Sequence, residues 1–401
     1  MFSLKKALFK YKDLFLLSFI AILIGIIVGS IDTLFGKVLL EITRIRNSHV
    51  YFLIPFLPLA GILIAFTYSK IGKNSNKGMS LIFSAAFKED DIIPKRLVPL
   101  AITSTWVTHL FGGSAGREGV AVQIGGTVGH SIGRRLSIKN SSKILLITGM
   151  SAGFAGLFQT PLAAIFFSME VLTVGTVEYS ALLPCVIAAY VAKFTSQALG
   201  LKEAGIHLDV FIDFNGYFIL KIALLGILFG IIGGFFAYLF SLTKKFLLNH
   251  ITNPMLRIFL VGCIVSAAIL LLHKGRYAGF GTNLISAAFH HEKIYGYDWI
   301  LKLILTILTL SAGFQGGEVT PLFSIGASLG AVISPIFGLP MEFVAALGYV
   351  AVFGSATNTI LAPIFIGAEV FGYDYIPYFF IVSAIAYVFN GNRSIYSAQK
   401  M

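Results

Sequence analysis

Residues 112–129 read GGSAGREGVAVQIGGTVG, and they set an arginine and a carboxylate, Arg117 and Glu118, in a glycine-rich turn between long apolar runs. A carboxylate within hydrocarbon is costly, so such a group normally faces a cavity or a partner and marks a functional site. From Val120 onward the apolar character resumes, which predicts that Glu118 falls in the first turn of a helix. The unpaired N–H groups there form a positive end that favours an anion. Gly116 and Gly119 let main-chain amides come close to an ion, and a helix ending at membrane depth is tolerated only where it lines a cavity. A structural reading also exists, in which Arg117 and Glu118 are a buried ion pair stapling two helices. The same letters satisfy Gly-x-Ser-x-Gly, with Ser114 at its centre and His109 and His130 nearby. A nucleophile elbow needs a strand before the turn, whereas Leu100 to Phe111 reads as helix. An intramembrane serine hydrolase using Ser114 is therefore carried only as the alternative from another class.

The composition fits the membrane setting. Of 401 residues, 57% are hydrophobic and 12% charged, with a mean hydropathy of +0.86, far from the balance of a soluble domain. The chain reads as an all-α polytopic protein of the cell membrane, with the lipid bilayer as its solvent. The net charge of +12 is spread between apolar runs rather than gathered on one face, which fits positive-inside topology and argues against nucleic acid as a partner. Cys185 and Cys263 lie inside apolar segments and read as small core residues. No metal or cofactor is expected, and no catalytic residue is assigned. Residues 1–12 intersperse lysines with Leu4, Leu8 and Tyr11, as in a basic interfacial helix.

Runs at about 14–31, 51–68, 179–199, 217–243, 255–273 and 297–312 are long enough to cross a bilayer, which takes roughly 20 residues. Segments near 79–87, 119–132, 143–157, 160–173, 318–334 and 358–371 are broken by Gly, Pro, Glu or Thr and read as too short, the pattern from which transporters build substrate sites. An internal repeat runs through the chain. Ala152–Val171 laid over Ala351–Val370 gives nine identities in twenty positions, and a glycine-flanked carboxylate precedes each copy, Glu118 and Glu318. The expected organisation is a first membrane repeat at 1–200, a polar link at 201–216 carrying Lys202, Glu203, His207 and Asp209, and a second, inverted repeat at 217–401. No soluble regulatory domain is expected. Glu170 and Glu369 occupy matched positions and read as helix-end anchors.

GREG at 116–119, GGEVTPL at 316–322, the duplicated PLA/LAP segments and Tyr396 in SIYSA together resemble the CLC family of chloride channels and anion–proton exchangers. The resemblance implies an eighteen-helix inverted-repeat fold with broken and re-entrant helices, a homodimer, and one anion pathway per subunit. Several departures stand out. Val120 replaces the usual proline, KNSNKGMS presents Met79 where chloride transporters place a serine, GGEVTP brings Glu318 and Thr320 into a motif that usually reads GGIFAP, and Val171 follows Glu170 where chloride–proton exchangers carry a second glutamate. These departures are similar to the fluoride–proton antiporter branch. They imply fluoride and protons as the transported partners, Glu118 as gate and proton carrier, and Glu318 as a second proton-transfer group. Gly116, Arg117, Gly119, Val120, Met79, Val319, Thr320 and Tyr396 then surround the anion. Fluoride is small and tightly hydrated, so its site must offer strong N–H and O–H donors. The Thr320 and Tyr396 hydroxyls and the helix-start amides fit that need. Met79 donates nothing, and its effect is to remove the serine hydroxyl that chloride prefers. A chloride–proton exchanger or a passive anion channel of the same fold is the alternative within the family.

Overall fold

The computed structural model describes residues 2–87, 92–202, 205–206, 208–210 and 216–401, the side chains of 2–11 apart. Glu203 and His207 of the expected link lie outside these residues. The described chain is helical throughout: α1 (Phe2–Ser48), α2 (Val50–Leu53), α3 (Leu57–Thr67), α4 (Met79–Phe87), α5 (Leu97–Leu110), α6 (Glu118–Gly133), α7 (Ser141–Phe158), α8 (Pro161–Glu170), α9 (Leu182–Ala198), α10 (Gly216–His250), α11 (Pro254–Leu271), α12 (Thr282–Phe289), α13 (Asp298–Ala312), α14 (Val319–Phe337), α15 (Met341–Thr357), α16 (Leu361–Phe371) and α17 (Ile376–Val388). Residues 2–12 of the basic segment form no helix of their own. Nothing between Lys12 and Phe15 breaks the chain, so it runs on as the first turns of α1.

Among the described residues seven helical stretches are long and apolar enough to cross a membrane, and the outward faces of α1, α10 and α11 expose Phe15, Phe19, Tyr217, Ile264 and Leu271. Side chains of this kind require lipid around them. The assignment of spans needs two corrections. Both α7 and α14, read from sequence as broken, are continuous and long enough. Their glycines do not interrupt helix; they permit contact. A Cβ on Gly125 or Gly129 of α6 would run into the backbone carbonyls of Gly149 and Leu145 on α7, and Gly326 and Gly330 meet Gly348 and Val344 of α15 in the same way. Small residues four apart are what allow membrane helices to approach this closely. Conversely, the run at 297–312 is α13, only 15 residues long. Its start is fixed by Asp298, whose carboxylate accepts hydrogen bonds from Arg276, from the Tyr277 hydroxyl at 2.6 Å and from the Tyr295 amide at 2.9 Å.

The matched glutamates anchor helix ends, and they do so reciprocally. Glu170, at the end of α8, accepts from the amides of Ile360, Leu361 and Ala362 at 3.3, 3.1 and 2.7 Å. Glu369, near the end of α16, accepts from Leu162 and Ala163 at 3.1 and 2.9 Å. Between them the equivalent rings of Phe166 and Phe365 stack at 4.5 Å. The two helices therefore lie antiparallel, each carboxylate satisfying the orphan N–H groups of the other.

Candidate ion-transport site

Two loops meet in the interior. Gly116 donates to the Gly317 carbonyl at 2.5 Å and Gly317 returns a bond to the Gly116 carbonyl at 2.8 Å. A side chain on Gly116 would strike Pro321 at 2.8 Å. Just past this crossing α6 and α14 begin, with Arg117 and Glu318 as their N-cap residues. By this pairing Glu318 stands opposite Arg117 and Glu118 opposite Val319. The two carboxylates are thus offset by one position along their helices, which turns them to different sides.

Glu118 is 1% exposed. One carboxylate oxygen accepts from the Arg117 amide at 3.2 Å, from the Thr320 amide at 3.3 Å and from the Thr320 hydroxyl. The other lies 3.5 Å from the Arg117 guanidinium, which rests over the Phe280 ring at 5.3 Å. The carboxylate therefore bridges the two helix starts, taking the N-cap amide of its own helix and two donors at the start of α14, in the opposite half of the chain. The amide of Val120 is already bonded to the Arg117 carbonyl at 3.1 Å, and its side chain packs with Phe35, Leu157 and Phe280. Val120 is a core residue here, as is the side chain of Val319.

The expected site residues separate into two cavities. One, of about 250 Å³, is lined by Arg117, Glu118 and Thr320 together with Phe280 and Tyr349. The other, of about 110 Å³, is lined by Met79, Glu318 and Tyr396 together with Gln123, Phe83 and Lys244. Glu318 makes no side-chain capping bond to α14, and its carboxylate lies beside Gly119, where an added Cβ would stand 3.4 Å away. Tyr396 is 6% exposed, and its hydroxyl has no partner among the described residues. Its ring packs on Phe83 at 5.2 Å. A buried hydroxyl aimed at a cavity without a protein acceptor is a donor available to an anion.

Ser114 has no place in a hydrolytic site. It is fully buried, its hydroxyl is 2.9 Å from Thr306 Oγ1, and it accepts from the Lys302 ammonium at 2.9 Å. His109 faces the Gly116 carbonyl at 3.3 Å and His130 the Ser142 hydroxyl at 3.0 Å, whereas the Ser114 hydroxyl is engaged by Thr306 and Lys302. Sequence reading missed this basic cluster. Lys302 also donates to the Gly279 carbonyl at 2.6 Å, Arg46 donates to the His109 carbonyl at 3.2 Å, and both support the loop that carries Arg117. Lys302 had a signal, a lysine inside an apolar helix, the same anomaly that exposed Glu118; Arg46, in the polar last turn of α1, had none. Among the described residues no group of three or more His, Cys, Asp or Glu could hold a metal ion.

Residues 60–391 match the voltage gated chloride channel family. A chloride/fluoride channel protein of Pseudomonas syringae pv. tomato is 36% identical over 386 residues, covering 94% of this chain and 85% of that protein. Among solved structures, the crystal structure of a CLC-type fluoride/proton antiporter is 48% identical with a TM-score of 0.95, covering 97% of this chain and 99% of that one. A slow cyanobacterial chloride/proton antiporter, 20% identical with a TM-score of 0.83 over 95% of this chain and 96% of that one, shares the fold. Fold, membrane spans and the paired helix starts converge with these likenesses: the chain is a multi-pass membrane protein of the voltage gated chloride channel (CLC) family, a family of channels and transporters rather than of enzymes.

Proposed function

We propose that this protein is a secondary active transporter that exports fluoride in exchange for protons across the bacterial plasma membrane, catalysing no covalent chemistry. One observation carries the reading: the Glu118 carboxylate occupies the N–H and O–H donors of Thr320 at the start of α14, donors that suit a small, hard anion. While ionised, Glu118 competes with fluoride for them. Once a proton binds the carboxylate, its attraction to the positive helix end is lost and it leaves as a neutral side chain, carrying the proton while fluoride takes the donors. On the other side of the Gly116–Gly317 crossing, Glu318 is the group that passes protons to the cytoplasm, Tyr396 supplies a hydroxyl donor, and Met79 withholds one. Arg117 holds the ionised Glu118, and Gly116 and Gly119 keep the backbone close enough for the crossing.

The halves 1–200 and 217–401 belong to this proposal as inverted repeats. Antiparallel α8 and α16, with reciprocal carboxylate anchors and stacked equivalent phenylalanines, have the geometry of a local two-fold axis. So does assembly as a homodimer with a separate pathway in each subunit. The test is a liposome assay: an imposed fluoride gradient drives protons against their own gradient in purified wild-type protein. Fluoride flux without proton movement makes the protein a passive channel, and chloride coupled to protons in preference to fluoride makes it a chloride exchanger.

A further inference from the structure

The cavity that holds Glu318 does not end at Met79 and Tyr396. It shares Asn76, Lys77, Ser80, Lys244 and Gln315 with a larger cavity of about 610 Å³, which reaches outward to Tyr68 and Arg257. The charges around this outer chamber have one sign. Lys77, Lys244 and Arg257 line it, and among the described residues no carboxylate does, while Glu318 is the one acid of the described residues that lines the inner cavity. Arg257 is committed to the wall, since it donates to the carbonyls of Ala312 and Ile251 at 3.3 and 3.1 Å. Lys77 and Lys244 are different. Both are exposed, and among the described residues neither is paired with a carboxylate. Lys244 leans over the Phe240 ring at 5.9 Å and is near enough to Glu318 to act on it electrostatically without pairing with it. Two ammonium groups with no ion-pair partner among the described residues stand at the mouth of a narrow chamber, with a buried hydroxyl beyond it that has no hydrogen-bond partner among those residues.

We propose that this vestibule is a second anion site, in which Lys77 and Lys244 gather hydrated fluoride from the cytoplasm ahead of the Glu318 cavity. An ammonium is a compact, strongly hydrated point charge, so it can hold an anion without stripping its water. Dehydration is left to the deeper donors, past the Met79 thioether that offers none. A cleft of one charge sign raises the local concentration of its counter-ion, which matters most to an exporter working from a dilute cytoplasmic pool. Because the attraction is Coulombic and acts through water, it weakens with salt. It also treats halides alike, leaving selection to the inner cavity. The proposal rests on the transport reading above for its direction and its ion.

Fluoride flux is measured in membrane vesicles of defined orientation, from each face in turn, for wild type and for the Lys77→Gln/Lys244→Gln pair. The control removes equal charge elsewhere through Lys139→Gln/Lys274→Gln, exposed positions outside both cavities. At low ionic strength the paired variant needs about three- to tenfold more cytoplasmic fluoride for half-maximal flux. Its fluoride-to-chloride ratio and its behaviour from the opposite face are unchanged. The difference closes at about 1 M inert salt, where screening reaches a few ångströms, and Lys77→Arg/Lys244→Arg restores wild-type half-saturation. An unchanged half-saturation in the paired variant overturns the proposal, as does an equal shift in the control. So does a fall in maximal rate alone, which marks a structural role. Failure of the exchange reading shows separately, as wild-type fluoride flux without protons; a shifted half-saturation in the pair then still supports the vestibule.

Discussion

The starts of α6 and α14 are built on one plan and finished with different chemistry. Each follows a glycine of the Gly116–Gly317 crossing, and each helix packs its glycines against the next. At the start of α6 the N-cap is Arg117 and the acid follows it; at the start of α14 the N-cap is the acid itself, and Thr320 supplies a hydroxyl. A shift of one residue turns one carboxylate to each cavity, and it places Glu118 on the donors of the other half's helix. The asymmetry is the functional content of the repeat. An exact copy would have set two like groups facing like surroundings, with no reason for a proton and an anion to part ways between them.

Breaking the second acid is the sharpest way to probe this comparison. Glu318→Gln is expected to keep the fold and lower proton-coupled fluoride flux about a hundredfold or more, the scale of a lost proton-transfer group. If the acid only stabilises the start of α14, an effect of about 0.3–1 kcal/mol, the same purified variant shows full coupled transport with a slightly lower melting temperature. Thr320→Ala comes next. It removes a hydroxyl donor from Glu118 and from the anion that replaces it, and a hydrogen bond to a charged group is worth about 1.5–3 kcal/mol. Fluoride affinity measured by equilibrium binding is expected to fall at least tenfold, by about 1.4 kcal/mol or more. An unchanged affinity means that the anion does not use the start of α14.

Met79→Ser sharpens the contrast from the other cavity. It adds a hydroxyl beside Tyr396, and at about 1 kcal/mol for one hydrogen bond the fluoride-to-chloride flux ratio is expected to fall several-fold. A ratio that does not move, in protein that still transports, returns Met79 to simple packing. The smallest effect lies at the first turn of α7. Lys143 pairs with Glu178 at the end of the loop after α8, and this contact, with the Ser180 hydroxyl, holds the Glu178 carboxyl below its ordinary range. A depressed acid stabilises the fold above its unfolded pKa and loses that contribution as pH falls through the folded value. Lys143→Met is therefore expected to cost about 0.5 kcal/mol or less near neutral pH, since the pair is partly solvated. The melting-temperature gap to wild type should close in acid; a gap that persists there points to packing.

Much of this was legible before any coordinates. A charge in an apolar run is so costly that Glu118 announced itself, and the matched Glu170 and Glu369 could be read as anchors because the repeat placed them alike. Three things were not legible. Hydropathy counts a glycine as an interruption whether it bends the chain or admits a neighbouring helix, so α7 and α14 looked broken when Gly149 and Gly326 were contact points. Nothing local tells a carboxylate to take donors 202 residues away in addition to the N-cap amide of its own helix. The Lys302 and Arg46 charges, distant from Glu118 in sequence, meet its loop only through tertiary packing.

The central claim is that Glu118 is both the gate and the proton carrier, and Glu118→Gln tests it most directly. The amide mimics the protonated acid in shape but cannot release a proton. Side by side in liposomes, wild-type protein is expected to pump protons when a fluoride gradient is imposed. The variant is expected to pump none, with its fluoride flux reduced or independent of pH. Undiminished fluoride-driven proton pumping by Glu118→Gln would contradict the account.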